Sequence, residues 1–159
     1  EIGAESVSIE SVNQLAYEKG GIGTAGITGV MGIGNIPVYN QMFLEQAKVI
    51  QKLASQKTCV FLGRCADFVL KNLENHYSFF IYADDEFKEK RTKELYGNAS
   101  VEDLHKEDKN RADYYQYYTG QKWGDCGNYD MMINTSKISL EDAADLIIAY
   151  VEHRQKNEA

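Results

Sequence analysis

A chain of 159 residues with 43% hydrophobic and 26% charged residues has the make-up of one globular domain large enough to bury a core. Seventeen basic against 24 acidic residues leave a net charge of −7, so general binding to DNA or an anionic membrane is opposed by the far field, and phosphates bind only where Lys and Arg gather locally. No apolar run nears the roughly 18 residues of a membrane span. The amino terminus has no signal-peptide pattern, and Cys59, Cys65 and Cys126 lack zinc-like spacing, which predicts a reduced, cytoplasmic protein without a metal site.

In chain order, residues 6–19 read as a helix with Val12, Leu15 and Ala16 on one face. Residues 20–37 carry seven glycines and the single proline, and read as a mobile loop. Its Gly21-Ile22-Gly23-Thr24-Ala25-Gly26 satisfies a dinucleotide pattern, but a helix precedes it where a strand is needed. Residues 41–55 return to helical spacing through Phe43, Ala47, Ile50 and Ala54. The apolar run Thr58 to Leu62 predicts a buried strand, followed by a short helix over 65–72 and a second buried strand over 77–82. Asp84 and Asp85 can cap a helix running to about Tyr96, and Ser100 opens another through the tyrosine-rich stretch. Residues 129–133 form a third strand, and Ser139 with Asp142 approximates a capping box for the last helix.

Strands alternating with helices predict an α/β domain with a parallel sheet covered on both faces, residues 1–159 forming a single domain. Ligands in such folds bind beyond the carboxyl ends of the strands. Gly63-Arg64-Cys65-Ala66-Asp67 follows the first strand, and there the planar fork of Arg64 can hold a phosphate at two points. The plainer alternative is an arginine that caps its own helix or pairs with Asp67. Asp108 and Arg111 are three apart on a helix and share a face, where the carboxylate can hold the guanidinium in one pose for a phosphate. A solvated helix face with a weak ion pair describes most such clusters equally well. The run from Asp113 to Asp125 interleaves aromatics with a single base, Lys122, and suits lid packing better than stacking on single-stranded nucleic acid. His76, His105 and His153 are scattered, and no nucleophile pattern is present.

The strings Cys59-Val60-Phe61-Leu62-Gly63-Arg64-Cys65-Ala66-Asp67, Phe80-Ile81-Tyr82-Ala83-Asp84, Asp108-Lys109-Asn110-Arg111-Ala112-Asp113-Tyr114-Tyr115, Trp123-Gly124-Asp125 and Ile133-Asn134-Thr135-Ser136 resemble the cytidylate kinase-like family over about residues 38–151. The resemblance implies a three-layer P-loop kinase-like fold with a helical lid over about 100–125. It also implies transfer of the γ-phosphate of ATP, with Mg²⁺, to a nucleoside monophosphate, CMP being the candidate acceptor. By that resemblance Arg64 holds the acceptor phosphate, while Asp67 orients Arg64 or touches the nucleotide. Arg111 closes over the transferring group beside Asp108, Lys109 adds charge, and Arg91 is a weaker substrate-binding candidate. Phosphoryl transfer needs positioning and charge neutralisation rather than a nucleophilic side chain, which agrees. No membrane and no nucleic acid polymer is implied as partner.

Family members open with a strand leading into a Gly-rich P-loop, and no G-x-x-x-x-G-K-[ST] occurs here. That central strand would lie between the segments at Thr58 and Tyr77. The first expectation is that the polypeptide supplies these residues beyond this sequence. The alternatives are a partner that fills the sheet, or a diverged module that binds nucleotides or regulates without catalysing.

Overall fold

The computed structural model describes residues 38–97 and 100–158. The helix expected over 6–19 and the Gly-rich loop over 20–37 lie outside them. The chain divides into two compact units, residues 1–56 and 57–159. In the first, helix α1 spans Val38–Gln56. Its covered positions (Asn40, Met42, Phe43, Gln46, Ala47, Ile50, Leu53 and Ala54) recur at three and four residues, the period of one helical face.

The second unit runs α2 (Ala66–Leu70), β1 (Phe79–Tyr82), α3 (Asp85–Tyr96), α4 (Val101–Thr119), a 3₁₀ turn (Cys126–Asn128), β2 (Met131–Asn134) and α5 (Leu140–Glu158). β1 and β2 pair in parallel, with Phe79 opposite Met131 and Tyr82 opposite Asn134. The result is a helix-rich α/β unit around a small two-stranded sheet.

The strand expected over Thr58–Leu62 is not formed. Cys59 and Phe61 are half-buried while Val60 and Leu62 are each 90% exposed, so the run covers one side only. An apolar run becomes a strand where a neighbouring backbone takes its donors and acceptors. Here β1 pairs with β2 and not with this segment.

The helix starts follow the sequence closely. Ser100 accepts from the Asp103 backbone N–H at 3.1 Å, and Asp103 returns the contact to the Ser100 N–H at 3.2 Å, a complete capping box. Ser139 accepts from the Asp142 N–H at 3.0 Å and heads α5. Asp84 is the exception: it precedes α3 without a side-chain capping bond. Its carboxylate instead accepts from Asn134 Nδ2 at 3.1 Å and faces Lys137 at 3.3 Å, and these two partners hold it below the usual carboxylate range.

Two clusters tie the sheet to its surroundings. Phe80 meets Trp123 edge-on at 5.1 Å and Tyr129 at 4.9 Å. Gly124 is required beside them, because its φ is +74° and a Cβ would stand 3.2 Å from the Phe80 ring. Trp123 and Tyr129, both beyond the end of α4, therefore pack on β1. At the other end of the strands, Asp130 accepts from the Ser78 N–H at 2.7 Å and from the Tyr150 hydroxyl at 3.3 Å, fastening the start of both strands to α5.

Candidate functional site

The carboxyl ends of β1 and β2 are locked together by the turns that leave them. Thr135 donates its N–H (2.9 Å) and its hydroxyl (3.2 Å) to the Tyr82 carbonyl, and the Asp84 N–H donates to Ser136 Oγ at 2.7 Å. Above this platform opens a cleft of about 270 Å³. Ala83 and Thr135 form its base, Phe87, Lys88, Arg91 and Thr92 of α3 one wall, and Leu104, Glu107, Asp108 and Arg111 of α4 the other. Its position is where parallel α/β sheets place ligands.

Three cations and two carboxylates line it. Asp108 bridges the walls, accepting from Lys88 Nζ at 2.8 Å and from Arg111 Nη1 at 2.8 Å. Lys88 and Asp108 are shielded, with side-chain exposures of 28% and 30%, and Arg111 is half exposed at 48%. Arg111 also stands 3.8 Å from Glu107, and Lys88 stands 3.6 Å from Asp85. Asp85 in turn meets His105 Nε2 at 2.7 Å, a second link between α3 and α4, and that contact holds the Asp85 carboxyl below its ordinary range. Arg91 lines the cleft and forms no ion pair among the described residues.

A second cluster sits one turn farther along α4, a rise of about 5 Å from Arg111. Gly63, Arg64 and Cys65 all take left-handed backbone, with φ of 67°, 58° and 55°. Non-glycine residues there cost roughly 1–2 kcal/mol each, and strain of this kind concentrates at functional sites. The turn sets the Arg64 guanidinium 5.6 Å from the centre of the Tyr114 ring. Burial pushes the Tyr114 phenol up to about 12 against the opposing pull of Arg64. Burial also raises the Cys65 thiol to about 12, so it remains a packed, protonated hydrophobe. Asp67 accepts from the Tyr115 hydroxyl at 2.6 Å, and Tyr115 is 4% exposed. Burial, then the Asp67 carboxylate, drives the Tyr115 phenol far up.

The structure thus brings Arg91, Asp108 and Arg111 together in one cleft and places Arg64 and Asp67 against the next turn of α4. Asp67 is engaged by Tyr115. Lys109 is outside the cleft lining, 75% exposed and paired with Asp113 at 2.9 Å, four residues on along the same helix. Sequence reading missed Lys88, although its three-residue spacing from Arg91 puts both on one face of α3. It also missed the Asp67–Tyr115 bond, which joins residues 48 apart and has no local signal.

Parallel strands with a cleft lined by cationic side chains beyond their carboxyl ends define a helix-rich α/β unit. The cytidylate kinase-like family matches residues 4–137, and the chain belongs to that family. A crystal structure of an uncharacterized protein from Eubacterium ventriosum is similar, with 35% identity and a TM-score of 0.68 over 74% of this chain and 68% of that one. Among curated proteins none matches. No helix among the described residues is long and apolar enough to cross a membrane.

Proposed function

We propose that the protein is a nucleotide kinase-like phosphotransferase of the P-loop kind, moving the γ-phosphate of ATP to a nucleoside monophosphate, with CMP as the first acceptor to try. Membership of the cytidylate kinase-like family supports this reading, and one observation carries it at the level of residues. Arg91 and Arg111 line a cleft beyond the carboxyl ends of the strands, while Arg64 is held over Tyr114, the residue one turn along α4 from Arg111. Arg64 would hold the acceptor phosphate and Arg111 the transferring group, two anionic centres that one substrate pair presents side by side. A phosphate oxygen of the acceptor attacks the γ-phosphorus, the bond from that phosphorus to the β–γ bridging oxygen breaks, and ADP leaves with the electron pair. The acceptor oxygen is already ionised at neutral pH, so no side-chain base is needed. The work left to the protein is alignment and neutralisation of the charge on the equatorial oxygens. Magnesium would enter with the triphosphate as part of the substrate, bound chiefly by phosphate oxygens. Among the described residues no cluster of three ligating side chains stands ready for a metal.

Incubation of the full-length protein with MgATP and each nucleoside monophosphate, followed by separation of the products, tests this. A nucleoside diphosphate formed from one acceptor is the expected result. Nucleotide binding without transfer to any acceptor would replace it with a binding or regulatory role.

A further inference from the structure

We propose that the Asp108 carboxylate occupies the position of a ligand phosphate, held between Lys88 and Arg111, and that an incoming phosphate displaces it and takes Lys88, Arg91 and Arg111 as its ligands. The proposal rests on the phosphotransferase reading for the class of ligand, and on the cleft itself for the mechanism.

Three observations support it. The carboxylate lies at 2.8 Å from both Lys88 Nζ and Arg111 Nη1, with one oxygen on each, as an oxyanion clamped between two walls would lie. Arg91 lines the same cleft as a third cation with no ion-pair partner among the described residues, whereas Asp85, Glu107 and Asp108 are all spent on Lys88 and Arg111. The cleft, at about 270 Å³, is smaller than the roughly 300–1,000 Å³ of sites that enclose whole drug-sized molecules, and suits an oxyanion group.

Lys88 is then a phosphate ligand, and Asp108 is a competitor rather than a support. The two roles of Asp108 predict opposite signs. If the carboxylate only poses Arg111, its removal leaves the guanidinium wandering and weakens anion binding. If it stands in the anion's place, its removal frees two cations and removes a like charge next to the ligand, so binding tightens. Asp85, 3.6 Å from Lys88, and Glu107, 3.8 Å from Arg111, remain as weaker counter-charges and keep the cations folded into the cleft after the change.

The test is calorimetric titration of inorganic pyrophosphate into the wild-type protein, Asp108→Asn and Lys88→Met at low ionic strength. Asp108→Asn should bind pyrophosphate about tenfold tighter than wild type, and Lys88→Met several-fold more weakly. Unchanged or weaker binding by Asp108→Asn overturns the proposal, as does absence of pyrophosphate binding in both proteins. Should Asp108→Asn not fold, Lys88→Met decides: weaker binding supports the role of Lys88, and unchanged or tighter binding refutes it. The phosphotransferase reading fails separately, as no transfer to any acceptor, and the pyrophosphate series stands or falls without it.

Discussion

The left-handed turn at Gly63–Cys65 allows strain and chemistry to be separated at one position. Replacing Arg64 by alanine or by glycine removes the same guanidinium and the same approach to the Tyr114 ring at 5.6 Å. A contact of that kind contributes about 0.5–1 kcal/mol. Alanine keeps a Cβ on a backbone with φ of 58° and retains the roughly 1–2 kcal/mol of left-handed strain. Glycine removes the strain but adds about 0.5–1 kcal/mol of unfolded-chain freedom. The glycine variant should therefore be more stable than the alanine variant by about 0.5–1 kcal/mol and lie near wild type. Urea denaturation followed by fluorescence of Trp123, the chain's single tryptophan, reads this directly. With a slope of about 2 kcal/mol/M the midpoints should differ by roughly 0.3–0.5 M. An alanine variant as stable as the glycine variant, or more so, would refute the strained turn. Both variants should lose nucleotide affinity to the same extent, because neither carries the guanidinium.

Two further predictions concern the scaffold. Asp130→Ala deprives the Ser78 N–H and the Tyr150 hydroxyl of their shared acceptor and should cost about 2–3 kcal/mol, lowering the melting temperature by roughly 5–10 °C; a shift under 2 °C would dismiss the latch. Tyr115 is a raised-pKa phenol, so the folded state favours its neutral form. The stability this contributes is complete below the ordinary phenol value of about 10 and is lost as pH climbs from there toward the folded value. The urea midpoint of wild type should fall above pH 10 more steeply than that of Tyr115→Phe, and parallel curves would contradict a phenol held neutral by its burial and by the Asp67 carboxylate.

Much of this architecture is legible in the sequence because its signals are local. Ser100 and Asp103 announce the start of α4, Ser139 and Asp142 that of α5, and the spacing of Phe43, Ala47, Ile50 and Ala54 marks the covered face of α1. The parallel sense of β1 and β2, though not their pairing, follows from apolar runs separated by helices. The run at 58–62 shows the limit: Val60 and Leu62 are as apolar as any strand residue, but strand formation depends on a neighbour that periodicity does not report. The candidate site divides in the same way. Asp108 and Arg111 are readable as a pair on one helix turn, whereas Lys88, which meets the same carboxylate from 20 residues away, depends on how α3 leans on α4. Asp84 reads as a cap in the sequence and proves to be a brace for Asn134 and Lys137, because the parallel strands bring their carboxyl ends side by side.

The most direct test of the central claim is kcat/KM for transfer from MgATP to the preferred nucleoside monophosphate, measured for wild type, Arg111→Met and Lys109→Met. Arg111 lines the cleft while Lys109 faces solvent beside Asp113. Loss of an arginine that neutralises the transferring phosphoryl group costs on the order of 10³-fold, whereas loss of a solvent-exposed lysine should change the rate no more than about threefold. Transfer by wild type with that contrast between the two variants is the predicted result. No transfer to any acceptor, or equal rates for wild type and Arg111→Met, would contradict it.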